Sequence, residues 1–97
     1  MPISKKEAEI ILEMRLKAKI KELERKEPFI NKIPVEKQEI LAEMSYQLGV
    51  NGVLKFKKMW KALKDFDYET AAKEMLDSRW YDQTPKRAFE LHNKMLD

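Results

Sequence analysis

The run Ser78-Arg79-Trp80-Tyr81-Asp82-Gln83-Thr84-Pro85-Lys86-Arg87-Ala88 places a tryptophan-tyrosine pair, a helix-start signal and an arginine within one short segment. Thr84 suits an N-cap because its hydroxyl can accept from an orphan amide of the first turn. Pro85 suits the first helical position, where a missing N–H leaves no hydrogen bond unmade. The run therefore predicts a helix from Pro85 that projects Arg87 from its first turn and buries Ala88, Leu91 and Met95 at helical spacing. Trp80 and Tyr81 are expected just before it. Alone, the two aromatics also fit a plain role as anchors of a helix corner to a core.

Upstream, the same periodicity recurs. Ser4 followed by Glu7 is a capping box, and Ile3 with Ala8 could close a hydrophobic staple, so a helix is predicted from Lys5. Ala8, Leu12, Leu16, Ile20 and Leu23 form one apolar stripe, and Ile10, Ile11, Met14 and Ala18 form a second. Two stripes leave two readings open: the helix is central in its domain, or its second stripe faces something outside. Pro28 forces a break after Arg25-Lys26-Glu27, and Phe29, Ile30 and Ile33 read as a short buried connector. Pro34 opens the next helix, with Val35, Ile40, Leu41, Met44 and Leu48 inward and Gly49 as its stop. A third helix from about Val53 to Lys64 turns Phe56, Met59, Trp60 and Leu63 inward. Asp67 caps a fourth that carries Tyr68, Ala71, Ala72, Met75 and Leu76. The fold class is all-α, a globular bundle of four to six helices in one domain spanning 1–97.

Composition agrees. With two glycines in 97 residues, and no Asn-Gly or Asp-Gly turn joining two alternating runs, a β-hairpin lobe is not expected. There is no cysteine, so disulfides and thiolate metal sites are excluded. His92 is the one histidine and reads as helix surface or edge, so no metal site and no cofactor is expected. No apolar run approaches a membrane span, and Met1-Pro2-Ile3-Ser4-Lys5 lacks the apolar centre of a signal peptide. A soluble chain without membrane partners is the expectation.

Four segments carry a family resemblance: Ile3-Ser4-Lys5-Lys6-Glu7-Ala8-Glu9, Met44-Ser45-Tyr46-Gln47-Leu48-Gly49, Asp67-Tyr68-Glu69-Thr70-Ala71-Ala72, and the run from Ser78 to Ala88. In this order and spacing they resemble the C-terminal helical lobe of phage-type lysozymes, the T-even endolysins and their relatives. The last segment fits that family's S-R-W-Y-x-Q-T-P-x-R-A pattern, and the likeness extends from about Ile3 to about Met95. The resemblance implies a muramidase origin, that is, a glycoside hydrolase of the bacterial cell wall. There a protonated carboxylic acid donates to the leaving glycosidic oxygen of peptidoglycan while a second polar group positions water or stabilises the sugar cation. In that family the catalytic glutamate, a following aspartate and threonine, and a Gly-rich hairpin belong to a smaller N-terminal lobe. Nothing in 1–97 matches that lobe, so the chain is expected to be a truncated, catalytically incomplete domain with no catalytic residue of its own. Its helix one would link the two lobes.

What the resemblance carries over is one wall of the glycan cleft. Tyr46 and Gln47 match positions that line the sugar groove, and Arg79 and Trp80 match positions near the glycan and its peptide stem. Arg87 matches an arginine that braces the catalytic glutamate. Without that glutamate it is expected to be an exposed cation with no defined partner. Glu74 departs from the family, some of whose members have a neutral amide there. The remaining acids sit beside lysines or arginines in helical patterns, where pairing on a solvated face is the ordinary role.

Charge frames the partners. Lys55, Lys57, Lys58, Lys61 and Lys64 crowd the third helix, and Arg15, Lys17, Lys19 and Lys21 punctuate the first, a surface suited to polyanions or simply to water. A net charge of only +3 and the lack of a nucleic-acid-binding motif argue against nucleic acid. The expected partner is peptidoglycan glycan, bound weakly by this chain alone, together with a separate N-terminal lobe or a second copy forming a homodimer. The resemblance implies a protein of the phage-infected host cytoplasm with access to the periplasm or cell wall. The alternative is a non-catalytic structural or interaction domain that binds a partner or self-associates through helix one.

Overall fold

In a computed structural model, which describes residues 4–76 and 79–97, helices follow one another with short joints and no strand among the described residues. They are α1 (Lys5–Lys26), α2 (Val35–Leu54), α3 (Lys57–Lys64), α4 (Tyr68–Leu76), α5 (Arg79–Gln83) and α6 (Pro85–Leu96), with a 3₁₀ turn at Pro28–Lys32 between α1 and α2. The all-α bundle expected from periodicity is what forms.

Each boundary has a local cause. Ser4 Oγ accepts from the Glu7 amide at 3.1 Å and so caps α1. The staple assigned to Ile3 lies outside the described residues. Pro28 ends the helical ladder, and its ring starts the 3₁₀ turn that buries Ile30 and Ile33. Asp67 accepts from the Thr70 amide at 3.1 Å and from the Thr70 hydroxyl, fixing the start of α4. These bonds hold its carboxyl below the ordinary carboxylate value.

The core is shared by all these elements. Leu23, Ile30, Leu41, Met44, Met59, Leu63, Met75, Leu91 and Met95 are fully buried. The Trp60 indole donates to the Val53 carbonyl at 3.0 Å, which pins α3 under the end of α2. At the opposite end Lys37, 5% exposed, reaches the C-terminus of α6 and donates to the carbonyls of Lys94 and Met95 at 2.9 and 2.7 Å. Those carbonyls have no intrahelical donor, and the positive end of a lysine matches the negative pole of α6. Burial pushes the Lys37 ammonium below its ordinary pKa, with Asp97 and Glu36 acting in the other direction.

Several expectations need correction. Val35 is 59% exposed rather than inward, because it occupies the first position of α2, before the core-facing stripe begins. Gly49 breaks the helical path with φ 77° and ψ 160°, yet the chain resumes helical turns to Leu54, so the helix predicted from Val53 begins only at Lys57. That backbone region is essentially reserved for glycine. Trp80 and Tyr81 do not merely precede a helix; they occupy their own short one, α5. Thr84 makes no side-chain cap, since its hydroxyl turns back to the Trp80 carbonyl at 3.1 Å.

The largest correction concerns α1. Only Leu16 and Leu23 of its expected inward stripe are buried, Ile20 is half-buried, and every described residue from Ser4 to Arg15 is exposed. Ile10, Ile11, Met14 and Ala18 are exposed as well, so the helix is not central in the domain. Its first three turns form an arm that none of the described residues buries.

Candidate functional site

On α2, Glu43 and Gln47 stand one turn apart and therefore share a face. α5 packs its tryptophan onto that face. Trp80, 3% exposed, donates its indole N–H to Gln47 Oε1 at 2.6 Å, across 33 positions of sequence. Indole nitrogen can only donate, so this bond fixes the orientation of the Gln47 amide and leaves its NH₂ for another acceptor. Thr84 Oγ1 lies 3.4 Å from the same Gln47 oxygen, and Phe56 meets the Trp80 ring edge-on with centroids 6.4 Å apart. Trp80 is thus both a core anchor and the floor of a polar surface.

Next to it Arg87, in the first turn of α6, bridges two acids. Its guanidinium sits 3.2 Å from Glu43 and 3.2 Å from Glu90. This overturns the expectation that Arg87 has no defined partner. Thr84, Pro85, Lys86, Arg87 and Glu90 line an open depression of about 330 Å³ beside it. Of the five N–H donors of a guanidinium, two at most are used by these contacts.

The structure brings together Gln47, Trp80 and Arg87. It does not bring Tyr46 to them. Tyr46 is exposed and its ring lies under Lys19 Nζ, 5.4 Å from the centroid, so it faces α1. Arg79 opens α5, and its side chain, like all of Ser78, lies outside the described residues. Sequence reasoning missed Glu43. The available signal was its position one turn before Gln47 on the same helix.

A glycosidase acid needs apolar surroundings that favour its protonated form. Glu43 instead has a guanidinium against it. Elsewhere Glu13 pairs with Lys17 at 3.5 Å on the exposed side of α1, as expected for a solvated face, and Glu22 pairs with Lys19 at 3.5 Å at the edge of α1 that meets Tyr46. Glu27 pairs across the fold with Lys64 at 3.4 Å. His92 lies at the surface edge of α6, stacked on Phe89 with centroids 5.5 Å apart. Among the described residues no helix is long and apolar enough to cross a membrane.

The chain is 46% identical over 52 residues to the pre-baseplate central spike protein Gp5 of Enterobacteria phage T4, a match that covers 54% of this chain and 9% of that protein. It is 44% identical over 48 residues to probable T4-type lysozyme 1 of Dictyostelium discoideum, covering 50% of this chain and 28% of the relative. Probable T4-type lysozyme 2 of the same organism is 38% identical over 58 residues, 60% of this chain and 34% of the relative. About half of this chain is therefore similar to T4-type lysozymes. The matched segment spans about a third or less of each of these relatives. No protein-family model matches the chain.

Proposed function

We propose that this chain is the helical, C-terminal-type lobe of a phage-type lysozyme, one wall of a peptidoglycan cleft, and catalytically incomplete by itself. The observation that carries the reading is the Trp80–Gln47 hydrogen bond, which joins two separate segments of the family pattern into one surface. The similarity of about half the chain to T4-type lysozymes supports it. On this reading Gln47 offers its NH₂ to an N-acetyl or hydroxyl oxygen of the glycan. Trp80 supports Gln47 from below, and Arg87 provides donors at the rim of the cleft. On the same reading Tyr46, turned toward α1, and Arg79 serve the peptide stem or neighbouring sugars rather than the sugar held by Gln47. The acid that protonates the leaving oxygen comes from a lobe outside these 97 residues, and Arg87 exchanges Glu43 or Glu90 for that acid when the lobe docks. Such a protein acts on the cell wall from within a phage-infected host.

The test is clearing of outer-membrane-permeabilised Gram-negative cells. The purified chain is expected to produce none, while a complete phage lysozyme clears the suspension. Clearing by the chain, abolished by replacing a single carboxylate, would place the acid within it and overturn the reading. The alternative of a non-catalytic interaction domain draws on other residues, those of the α1 arm.

A further inference from the structure

The arm formed by the first three turns of α1 is at odds with its surroundings. Ile10, Ile11, Leu12 and Met14 are 49%, 39%, 51% and 66% exposed, and no described residue from Ser4 to Arg15 is buried. A helix this short is marginal in water without tertiary contacts, since most helical stability in proteins comes from packing an apolar face. At about 100° per residue, Ile10, Met14 and Ala18 fall roughly opposite the stripe of Leu16, Ile20 and Leu23 that meets the body. They therefore point away from the domain, on a face that folding of this chain leaves open.

We propose that this face is covered by a second copy of the chain, as an antiparallel α1–α1 pair centred on Met14. The charges at its ends choose the occupant and the direction. Glu7 lies seven residues before Met14 and Lys21 seven after, on the same face and both exposed. With Met14 against Met14 at the two-fold axis, Glu7 of each copy stands opposite Lys21 of the other, and Ile10 stands opposite Ala18. Ile10, Met14 and Ala18 supply the apolar contact along this line, and Lys17, which pairs with Glu13 of its own helix, flanks it beside Ile11 of the other copy. A parallel pair would set Lys17 and Lys21 against their own copies and is disfavoured by like charge. The face self-complements only in the antiparallel sense, as a two-fold interface requires.

From residue 7 to residue 21 the seam is about 21 Å long at 1.5 Å per residue. Contact along it buries on the order of 1,000 Å² in total, the low end of specific interfaces, as in weak, reversible associations. The seam shares no residue with the Gln47–Trp80–Arg87 surface. Failure of the dimer would leave the glycan reading intact, and the converse holds.

Sedimentation of the 97-residue chain across a wide concentration range tests the proposal. A reversible monomer–dimer equilibrium is expected. Met14→Glu should weaken it by about tenfold or more, because it sets like charges together at the axis, with helicity by circular dichroism unchanged. Glu7→Lys should weaken the dimer, and the double exchange Glu7→Lys with Lys21→Glu should restore it. Under mild oxidation Met14→Cys should cross-link copies quickly, while Leu12→Cys, on the side facing the body, should not. A chain that stays monomeric to about 1 mM, where any specific pairing would be worth less than about 4 kcal/mol, overturns the proposal. So does a dimer indifferent to Met14→Glu, or one that cross-links faster through Leu12→Cys. A monomer whose α1 amides gain protection only on addition of another polypeptide or an anionic vesicle assigns the face to that occupant instead.

Discussion

The two halves of α1 have similar apolar content and opposite fates. From Leu16 to Leu23 the helix lies against α2 and the 3₁₀ turn, and Leu23 is fully buried. From Lys5 to Arg15 it buries nothing, although Ile10, Ile11, Leu12 and Met14 are as hydrophobic as the leucines that follow. Spacing decides which residues share a face of a helix. What covers that face depends on what else is present, and sequence periodicity contains no information about that.

Truncation separates the halves most sharply. Leu23→Ala removes methyl groups from a site with no exposure and is expected to cost about 2–5 kcal/mol. Met14→Ala should change the monomer's stability by no more than about 0.5 kcal/mol. Urea unfolding of both variants at low protein concentration measures the contrast, and equal costs would mean that the arm is packed. Gly49→Ala is the next largest effect. An alanine there meets no neighbour within 4 Å, so the cost comes from the backbone alone, about 1–3 kcal/mol at φ 77° and ψ 160°. It should also shift the Trp80 indole resonance, since Gln47 stands two residues before the kink.

Much of the fold could be read from the chain because its signals are local. Pro28, Gly49, Asp67 and Pro85 each punctuate a helix through their own backbone or side-chain chemistry, and the apolar stripes of α3, α4 and α6 bury Met59, Trp60, Leu63, Ala71, Ala72, Met75, Ala88, Leu91 and Met95 as their spacing implies, while Phe56, Tyr68 and Leu76 are half-buried at the edge of the core. What could not be read is tertiary. The two carbonyls held by Lys37 lie 57 and 58 positions away, and no local pattern distinguishes that lysine from its solvated neighbours. The family pattern marked Gln47, Trp80 and Arg87 but not Glu43, because an ion pair between helices depends on how α6 docks on α2. Thr84 was misread as a cap for a related reason. Its hydroxyl turns toward α5, where it donates to the Trp80 carbonyl, and caps no amide of α6.

Smaller effects refine the comparison. Ser4→Ala should remove about 1 kcal/mol of capping, confined to the arm. Hydrogen exchange should quicken from Glu7 through Met14 and stay unchanged from Leu16 onward, whereas faster exchange throughout α1 would join the halves into one cooperative unit. The smallest effect is the pH response of Asp67. Its folded pKa lies below the unfolded value of 3.8, so its stabilising contribution is complete above that value and is lost as pH falls through the folded pKa. In Asp67→Asn that acid-side loss should be reduced, as read from unfolding midpoints on the acid side of pH 4.

The account rests most on the Gln47–Trp80 surface, and nuclear magnetic resonance addresses it directly. Titrating isotopically labelled chain with a soluble peptidoglycan oligosaccharide should move the Trp80 indole N–H and the Gln47 side-chain amide together and saturably, with the sugar left uncleaved. If both resonances stay fixed while the sugar binds elsewhere or not at all, the glycan-wall assignment is wrong.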